Sequence, residues 1–119
     1  MGITRAGRLA AVTNFREPRT TRPDTPSRGL LVRDFLLGEQ TSTEYLRAVR
    51  ERAAAYAGCC LIARDWEELG YCSNRSGEPV SLIDGIHAVS NGLIDEPWPK
   101  VLRGKEAMGR ILDRLSEPG

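Results

Sequence analysis

The stretch Cys60-Leu61-Ile62-Ala63-Arg64-Asp65-Trp66-Glu67-Glu68-Leu69-Gly70-Tyr71-Cys72-Ser73 decides the fold of this 119-residue chain. Its first four residues are a short apolar run, which is typical of a buried β-strand. The segment Asp65-Trp66-Glu67-Glu68 predicts a turn, and Leu69 to Ser73 predict a second strand. The stretch therefore predicts two neighbouring strands of an antiparallel sheet.

Downstream, the residues Asn74-Arg75-Ser76-Gly77 close the second strand. Val80 to Ile83 and Ile86 to Ser90 then flank Asp84-Gly85, and two such turn residues between two strands predict a β-hairpin. His87, the only histidine of the chain, lies on the second of these predicted strands. Since no catalytic motif surrounds it, we predict a structural role for His87.

Upstream, residues 3–5 and 8–15 predict two strands around Ala6-Gly7. Gly7 suits the positive φ angle of a tight turn. Both faces of the segment 8–15 are largely apolar, which is typical of a strand that is covered on both sides. Residues 16–27 contain three prolines, threonines and charges, and they predict a loop.

Helical periodicity follows in the next segments. Leu31, Val32, Phe35 and Leu36 form one apolar stripe, so residues 28–37 predict a helix. The preceding residue, Ser27, is a good N-cap.

A second predicted helix spans 42–57, and Gly58 ends it. Thr41 with Glu44 three residues later fits a capping box at its start. Pro97 and Pro99 introduce a third helix that runs through about residue 115. The order of strands, two helices, four strands and a helix predicts an α+β fold with mainly antiparallel sheets and covering helices.

Composition excludes several classes of protein. The net charge is +1, no apolar run approaches the length of a transmembrane helix, and no signal peptide is visible at the start. The three cysteines lack the spacing of a zinc site, so we expect no metal and no cofactor. Their odd number favours a reducing compartment, and we expect a cytoplasmic protein. We predict that Cys60 and Cys72 are buried.

The first 33 residues are basic, with seven arginines against two acidic residues. One interpretation is an anion-binding module, which predicts a steep salt dependence of nucleic-acid binding. The other is a solvated arm or a segment that faces acidic parts of its own fold. We favour the second interpretation, because Phe15 is the only aromatic residue among these arginines, and we expect no nucleic-acid partner.

Four segments in this order and spacing resemble the NRDE family, also called the Transport and Golgi organisation protein 2 family. They are Gly2-Ile3-Thr4 with Gly7 to Arg16, Ser27 to Val32, Tyr71 with Asn74-Arg75, and Ser90 to Val101. The resemblance covers essentially the whole chain. It implies the αββα sandwich of the N-terminal nucleophile hydrolases, in which an N-terminal residue attacks a carbonyl and its own α-amine acts as the base.

The sequence departs from the family pattern at its start. Members typically open with Met-Cys and the tetrad Asn-Arg-Asp-Glu, but position 2 is Gly2 and the tetrad does not occur. We therefore expect residues 1–119 to be a single partial domain that is inactive as a hydrolase and is able to self-associate through open sheet edges. The alternative is an amidohydrolase whose catalytic N-terminus is missing from this chain.

The resemblance also suggests site residues. By analogy, Asn14 and Asn91 are oxyanion-type candidates, since asparagines at strand ends of related hydrolases donate to developing negative charge. The plainer alternative is that both are turn residues. Arg28 and Arg75 are candidates for binding an anionic group, with structural pairing as the alternative. For the family, the resemblance implies roles in Golgi organisation and protein secretion, and a haem or acyl-lipid ligand.

Overall fold

A computed structural model describes residues 1–16, 25–52, 55–75 and 77–117. The elements follow in the order β1 (Gly2–Ile3), β2 (Leu9–Asn14), α1 (Gly29–Leu37), α2 (Ser42–Glu51), β3 (Cys59–Arg64), β4 (Leu69–Ser73), β5 (Val80–Ser81) and α3 (Pro99–Ser116). The five strands form one antiparallel sheet in sequence order. The predicted α+β class is confirmed, and the arrangement is compatible with an αββα sandwich.

The register of the central strands sorts their side chains onto two faces. Ala10 pairs with Ala63 and Val12 with Leu61, and these side chains point to the face that α1 and α2 cover. Alternation along β2 places the residues between them on the other face. The core between sheet and helices consists of Ala10, Leu31, Val32, Phe35, Tyr45, Leu46, Val49, Cys59, Leu61, Ala63 and Cys72.

Helix α2 lies very close to β4 because Gly70 carries no side chain. A Cβ atom there would lie 2.5 Å from both Leu46 Cδ1 and Ser42 Oγ. Ser42 also fastens the start of α2: its hydroxyl donates to the Ala63 carbonyl at 2.8 Å, and its backbone N–H donates to the Asp65 carboxylate at 2.6 Å. Burial alone would raise the pKa of Asp65, but hydrogen bonds from the backbone N–H groups of Ser42, Glu68 and Glu67 keep it below its usual value.

Arg8 belongs to the basic segment at the start of the chain, and it is buried against the end of α1. Its guanidinium donates two hydrogen bonds to the Phe35 carbonyl and one to the Gln40 carbonyl. It also lies 3.9 Å from the centroid of the Phe35 ring. A cation at a helix C-terminus neutralises the negative end of the helix dipole. For Arg8, the structure agrees with a segment that faces its own fold.

Several local predictions are confirmed. Gly7 has a φ angle of +92°, and Thr41 and Glu44 form both bonds of the capping box. Helix α1 begins at Gly29, one residue later than predicted, and its N-cap is Arg28 without a side-chain hydrogen bond. Ser27 is therefore not the N-cap, although its hydroxyl accepts a hydrogen bond from the Gly29 N–H at 3.3 Å.

Other boundaries differ from the predictions. Helix α2 ends at Glu51 rather than at residue 57, and residues 53–54 of that predicted helix lie outside the described residues. Most of the predicted loop 16–27, namely residues 17–24, also lies outside them. The first strand is Gly2–Ile3 rather than 3–5.

The predicted hairpin of Val80 to Ile83 with Ile86 to Ser90 is wrong. Only Val80–Ser81 forms a strand, and it pairs with β4. His87 consequently lies in an irregular segment, residues 82–98, which we call the 82–98 loop. The reason is Asp95: its backbone N–H donates to the Ala88 carbonyl at 2.7 Å, and its carboxylate accepts from the Ala88 N–H at 2.9 Å. These two hydrogen bonds take the place of the backbone hydrogen bonds that Ala88 would make to a partner strand.

Helix α3 confirms the third predicted helix, with Pro99 in its first turn. Val101 is its one buried residue. An ion pair of 2.9 Å between Lys105 and Asp95 attaches it to the 82–98 loop. The Ile86 side chain lies beside Gly109, where a Cβ atom would be 3.6 Å from Ile86 Cδ1. No helix in the described part of the chain has the length and apolar character needed to cross a membrane.

Candidate functional site

The two candidate asparagines meet at the end of β2. Asn14 is the last residue of this strand, and Asn91 lies in the 82–98 loop. The side-chain amide of Asn91 donates a hydrogen bond to the Asn14 carbonyl at 3.2 Å, and the Asn91 carbonyl accepts one from the Arg16 N–H at 2.5 Å. The loop is thereby fastened along the end of the strand.

Arg28 reaches the same end of the sheet from the start of α1. The Gly58 carbonyl accepts one hydrogen bond from the Arg28 guanidinium and one from the Phe15 N–H, both at 2.9 Å. Arg28 and the exposed Asn14 line one open cleft of about 420 Å³, which we call the polar cleft. Its other lining residues are Val12, Thr25, Pro26, Ser27, Gly29 and Ala57.

A second depression adjoins the polar cleft and is almost wholly apolar. This apolar groove of about 400 Å³ lies between β1, β2 and α1, and one charged side chain, Arg33, contributes to its lining. Val12 and Gly29 line both depressions, so the groove and the cleft are neighbours near the start of α1. The remaining lining residues of the groove are Met1, Gly2, Val32, Leu36 and Leu37.

Two cations flank the indole ring of Trp98 beside Asn91. The Arg16 guanidinium carbon lies 5.5 Å and the Lys100 ammonium 5.6 Å from the ring centroid, which is cation–π distance. Lys100 also donates to the side-chain oxygen of Asn91 at 3.1 Å. Both polar ends of the Asn91 amide are therefore engaged by the protein itself.

Arg75 is not brought to this site. It lies in the turn after β4, where its N–H donates to the Ser73 hydroxyl at 3.1 Å and its guanidinium contacts the Asn74 carbonyl at 3.4 Å. It lines neither the polar cleft nor the apolar groove. The neighbouring Asn74 acts indirectly on the site, because its side chain binds the Ala57 carbonyl and the Cys59 N–H and so holds the segment that presents the Gly58 carbonyl.

All three cysteines are buried, as predicted for Cys60 and Cys72. Burial raises the pKa of Cys72 to about 12. The Cys60 thiol donates to the Gly92 carbonyl at 3.2 Å and lies 3.3 Å from the Tyr71 hydroxyl. Burial, and then the bond with Cys60, raise the pKa of Tyr71. Cys60 through Gly92 and the Tyr71 hydroxyl through the Ile94 N–H hold the 82–98 loop against the sheet. None of the cysteines, nor Tyr71, lines the cleft or the groove.

His87 is fixed between two hydrogen-bond acceptors. Its Nδ1 lies 2.8 Å from the Asp95 carboxylate and its Nε2 lies 2.8 Å from the Ile83 carbonyl. Only the imidazolium form donates to both. The hydrogen bond to Asp95, and then that to Ile83, raise the pKa of His87. Partial burial would raise the pKa of Asp95, but the bonds from His87 and Lys105 hold it at about 2.

Sequence reasoning missed most of the features that give this site its shape. The backbone of Asp95 has a φ angle of 58°, a left-handed conformation that Asp tolerates better than most residues. The engagement of Lys100 with Asn91 and Trp98 depends on tertiary contacts, and so does the position of the groove beside the cleft. Among the described residues, no group of three His, Cys, Asp or Glu side chains is placed to hold a metal ion.

Comparison with known proteins gives a consistent result. The family model described as Transport and Golgi organisation 2 matches residues 1–118. The chain is 37% identical to a Transport and Golgi organization protein 2 homolog of Bos taurus, over 98% of this chain and 44% of the relative. For the corresponding Mus musculus protein the identity is 37%, over 89% of this chain and 40% of the relative. For the Homo sapiens protein the identity is 33%, over 96% of this chain and 43% of the relative. The chain thus spans less than half the length of these relatives.

Proposed function

Because this chain belongs to the Transport and Golgi organisation 2 family, we propose that it binds an amphiphilic ligand with an anionic head group, of the kind that an acyl lipid presents. The apolar groove takes the hydrocarbon chain, and the polar cleft takes the head group. The proposal rests on the position of the two depressions, which are neighbours because Val12 and Gly29 line both. Through such a ligand the chain takes part in the Golgi organisation for which its relatives are named.

The apolar groove supports the hydrocarbon part of the ligand. Met1, Val32, Leu36 and Leu37 present aliphatic or thioether surface along one side of α1, and the Leu37 side chain is exposed. Removing a methylene group from water in such a groove contributes about 0.8 kcal/mol. The burial of several methylene groups therefore contributes enough free energy for binding even where the contact at the head group is weak.

The polar cleft supports the anionic head group. The Arg28 guanidinium uses one nitrogen for the Gly58 carbonyl, and a guanidinium offers five N–H donors in total. A carboxylate or a phosphate accepts two parallel hydrogen bonds from such a group. The Asn14 side chain, which lines the same cleft from the end of β2, is exposed and offers a further N–H donor.

The described residues favour an acyl lipid over haem. Haem iron requires an axial ligand such as His, Cys or Met. Both ring nitrogens of the single histidine, His87, are engaged by Asp95 and Ile83. The three thiols are buried away from both depressions. Met1 is the one residue of a ligating type beside the groove.

We propose binding rather than hydrolysis for this chain. Its cysteines are buried, and an oxyanion hole needs donors that are free to meet developing charge. The Asn91 amide already donates to the Asn14 carbonyl. We propose that residues 1–119 form a partial family domain. The alternative remains an N-terminal nucleophile amidohydrolase whose catalytic residue is supplied by sequence that this chain does not contain.

Calorimetric titration of the 119-residue chain tests the proposal. Dodecanoate and dodecyl phosphate below their micelle concentrations are the probes, and dodecanol and acetate are the controls. We expect saturable binding of both amphiphilic anions and much weaker binding of either control. The relative strength of the two anions distinguishes a carboxylate from a phosphate head.

The matched variants are Arg28→Gln and Arg75→Gln. Since a charge-assisted hydrogen bond contributes about 1.5–3 kcal/mol, Arg28→Gln should weaken binding at least about tenfold. Arg75→Gln should leave it unchanged, because Arg75 lies outside both depressions. Equal losses in the two variants, or no saturable binding by the parent chain, would refute the proposal. Tighter binding of haem than of dodecanoate would assign the groove to haem.

A further inference from the structure

The apolar groove follows one face of α1 from the first residue of the helix to its last. Gly29, Val32, Arg33, Leu36 and Leu37 line the groove, and their spacing in the chain is that of one helix face. Gly29 also lines the polar cleft, so the head-group end of the groove lies at the start of α1. The other end lies at Leu37, and the groove therefore has a defined direction along the helix.

The length of this helix face limits the length of chain that the groove covers. Leu37 follows Gly29 by eight residues, which at 1.5 Å per residue is about 12 Å. An extended chain of single bonds advances about 1.3 Å per bond, since three bonds span about 3.8 Å. The distance from Gly29 to Leu37 therefore corresponds to about nine bonds. Leu37 is 79% exposed, so a longer chain continues into water.

Arg33 is the charged residue that lines the groove, and its charge is already paired. Its guanidinium lies 3.0 Å from the Asp34 carboxylate, and the side chain is largely exposed. The aliphatic stem of an arginine covers apolar surface while its charged end stays in water. The groove beyond the polar cleft therefore suits a plain hydrocarbon chain rather than a chain with a second charge.

Gly2 of β1 sets the space at the far end of the groove. A Cβ atom on Gly2 would lie 2.5 Å from Leu36 Cδ1 and 3.9 Å from Val32 Cγ1. The missing side chain of Gly2 thus leaves the room that the end of Leu36 occupies. Because Leu36 also packs against the buried core, the groove is the open side toward which a displaced Leu36 would turn. Leu36 lies about 10 Å from Gly29 along the helix, so only the last carbons of a chain meet it.

We propose, resting on the proposed function, that the groove selects acyl chains of about ten carbons and that Gly2 determines this selection through Leu36. The carboxylate carbon lies in the polar cleft, and about nine further carbons fill the groove as far as Leu37. Each methylene group that leaves water strengthens binding by up to about fourfold. Carbons beyond Leu37 stay in water and add little.

Calorimetric titration of the 119-residue chain with octanoate, decanoate, dodecanoate and tetradecanoate, all below their micelle concentrations, tests the chain length. Decanoate should bind at least about threefold more tightly than octanoate, and tetradecanoate less than about twofold more tightly than decanoate. An affinity that rises by the same factor at every step up to tetradecanoate would overturn this inference and leave the proposed function intact. No binding of any of the four would refute the proposed function itself.

The substitution Gly2→Ala tests the residue. It should turn Leu36 into the groove, so that decanoate binds less than about twofold more tightly than octanoate while octanoate itself keeps its affinity. Leu36 Cδ1 is the end of a flexible side chain, so the fold should tolerate the new methyl group. Adding Leu36→Ala removes the clashing atom and should restore the preference for decanoate.

Gly104→Ala is the matched control, because it adds the same methyl group in α3, where no described atom lies within 4 Å. It should keep the chain-length profile of the parent chain. Urea unfolding checks that each variant is folded. A parent-like profile in Gly2→Ala, equal losses for octanoate and decanoate, or no restoration by Leu36→Ala would overturn the assignment of Gly2.

Discussion

The side-chain amide of Asn91 donates a hydrogen bond to the backbone carbonyl of Asn14, 77 residues earlier in the chain. The donor belongs to an irregular loop and the acceptor to the last residue of a sheet strand. The two asparagines therefore have different tasks. Asn91 uses its side chain to hold the loop, whereas Asn14 contributes its main chain to that bond and leaves its side chain in the polar cleft.

This division predicts different effects of the same substitution. Asn91→Ala removes the hydrogen bond to Asn14 and the acceptor for Lys100, and should lower the free energy of unfolding by about 0.5–1.5 kcal/mol. Asn14→Ala retains the carbonyl, and should leave stability within about 0.5 kcal/mol while weakening the binding of dodecanoate. Urea unfolding measures the first quantity and calorimetry the second. A larger loss of stability in Asn14→Ala than in Asn91→Ala would contradict the assignment.

A second prediction concerns the protonation of His87. Its folded-state pKa is raised, so its contribution to stability is fully present below the unfolded-state value of about 6.5 and is lost as pH rises through the folded value. The opposite sign holds for Asp95, whose pKa is lowered to about 2. Its contribution is present above about 3.9 and is lost as pH falls toward 2.

Because the chain has one histidine, NMR reports its titration without ambiguity. The midpoint of the imidazole resonance should lie above about 6.5, and Asp95→Asn should lower it. The stability difference between the parent chain and His87→Gln should shrink between neutral and alkaline pH. A midpoint at or below about 6.5, unchanged by Asp95→Asn, would show that the ion pair does not hold the loop.

A glycine substitution at Gly70 tests the packing of α2 on the sheet, and one at Gly104 is a control with the opposite expected sign. Gly70→Ala places a Cβ atom 2.5 Å from Leu46 and Ser42, and overpacking of this kind costs about 1–3 kcal/mol. Gly104→Ala, inside α3, has no atom within 4 Å of the new Cβ and should stabilise the chain by up to about 1 kcal/mol. Thermal and urea unfolding measure both. A neutral Gly70→Ala would mean that α2 does not lie so close to β4.

Local signals in the sequence predicted local structure well. The capping box of Thr41 and Glu44 needs only four residues, and it begins α2 as predicted. The apolar run at β3 and the strand from Leu69 to Ser73 were likewise evident, because buried strands of this length have few alternatives.

The hairpin prediction failed because a side chain seven residues away decides the backbone conformation. The segment Ile86 to Ser90 has strand character, but Asp95 supplies the hydrogen bonds that a neighbouring strand would have made. The resemblance to a family directed attention to Asn14, Asn91 and Arg28. It gave no indication that the Asn91 amide would donate to the Asn14 carbonyl, or that Val12 would line two depressions. Such features arise only when segments far apart in sequence meet.

The binding of one amphiphile across groove and cleft is tested most directly by the backbone amide NMR spectrum during titration with dodecanoate. We predict that the largest chemical-shift changes fall on both depressions at once. Asn14 and Arg28 should shift beside the carboxylate head group of dodecanoate, and Val32 and Leu36 beside its hydrocarbon chain. Shifts confined to α3, shifts in one depression without the other, or an unchanged spectrum would contradict that claim.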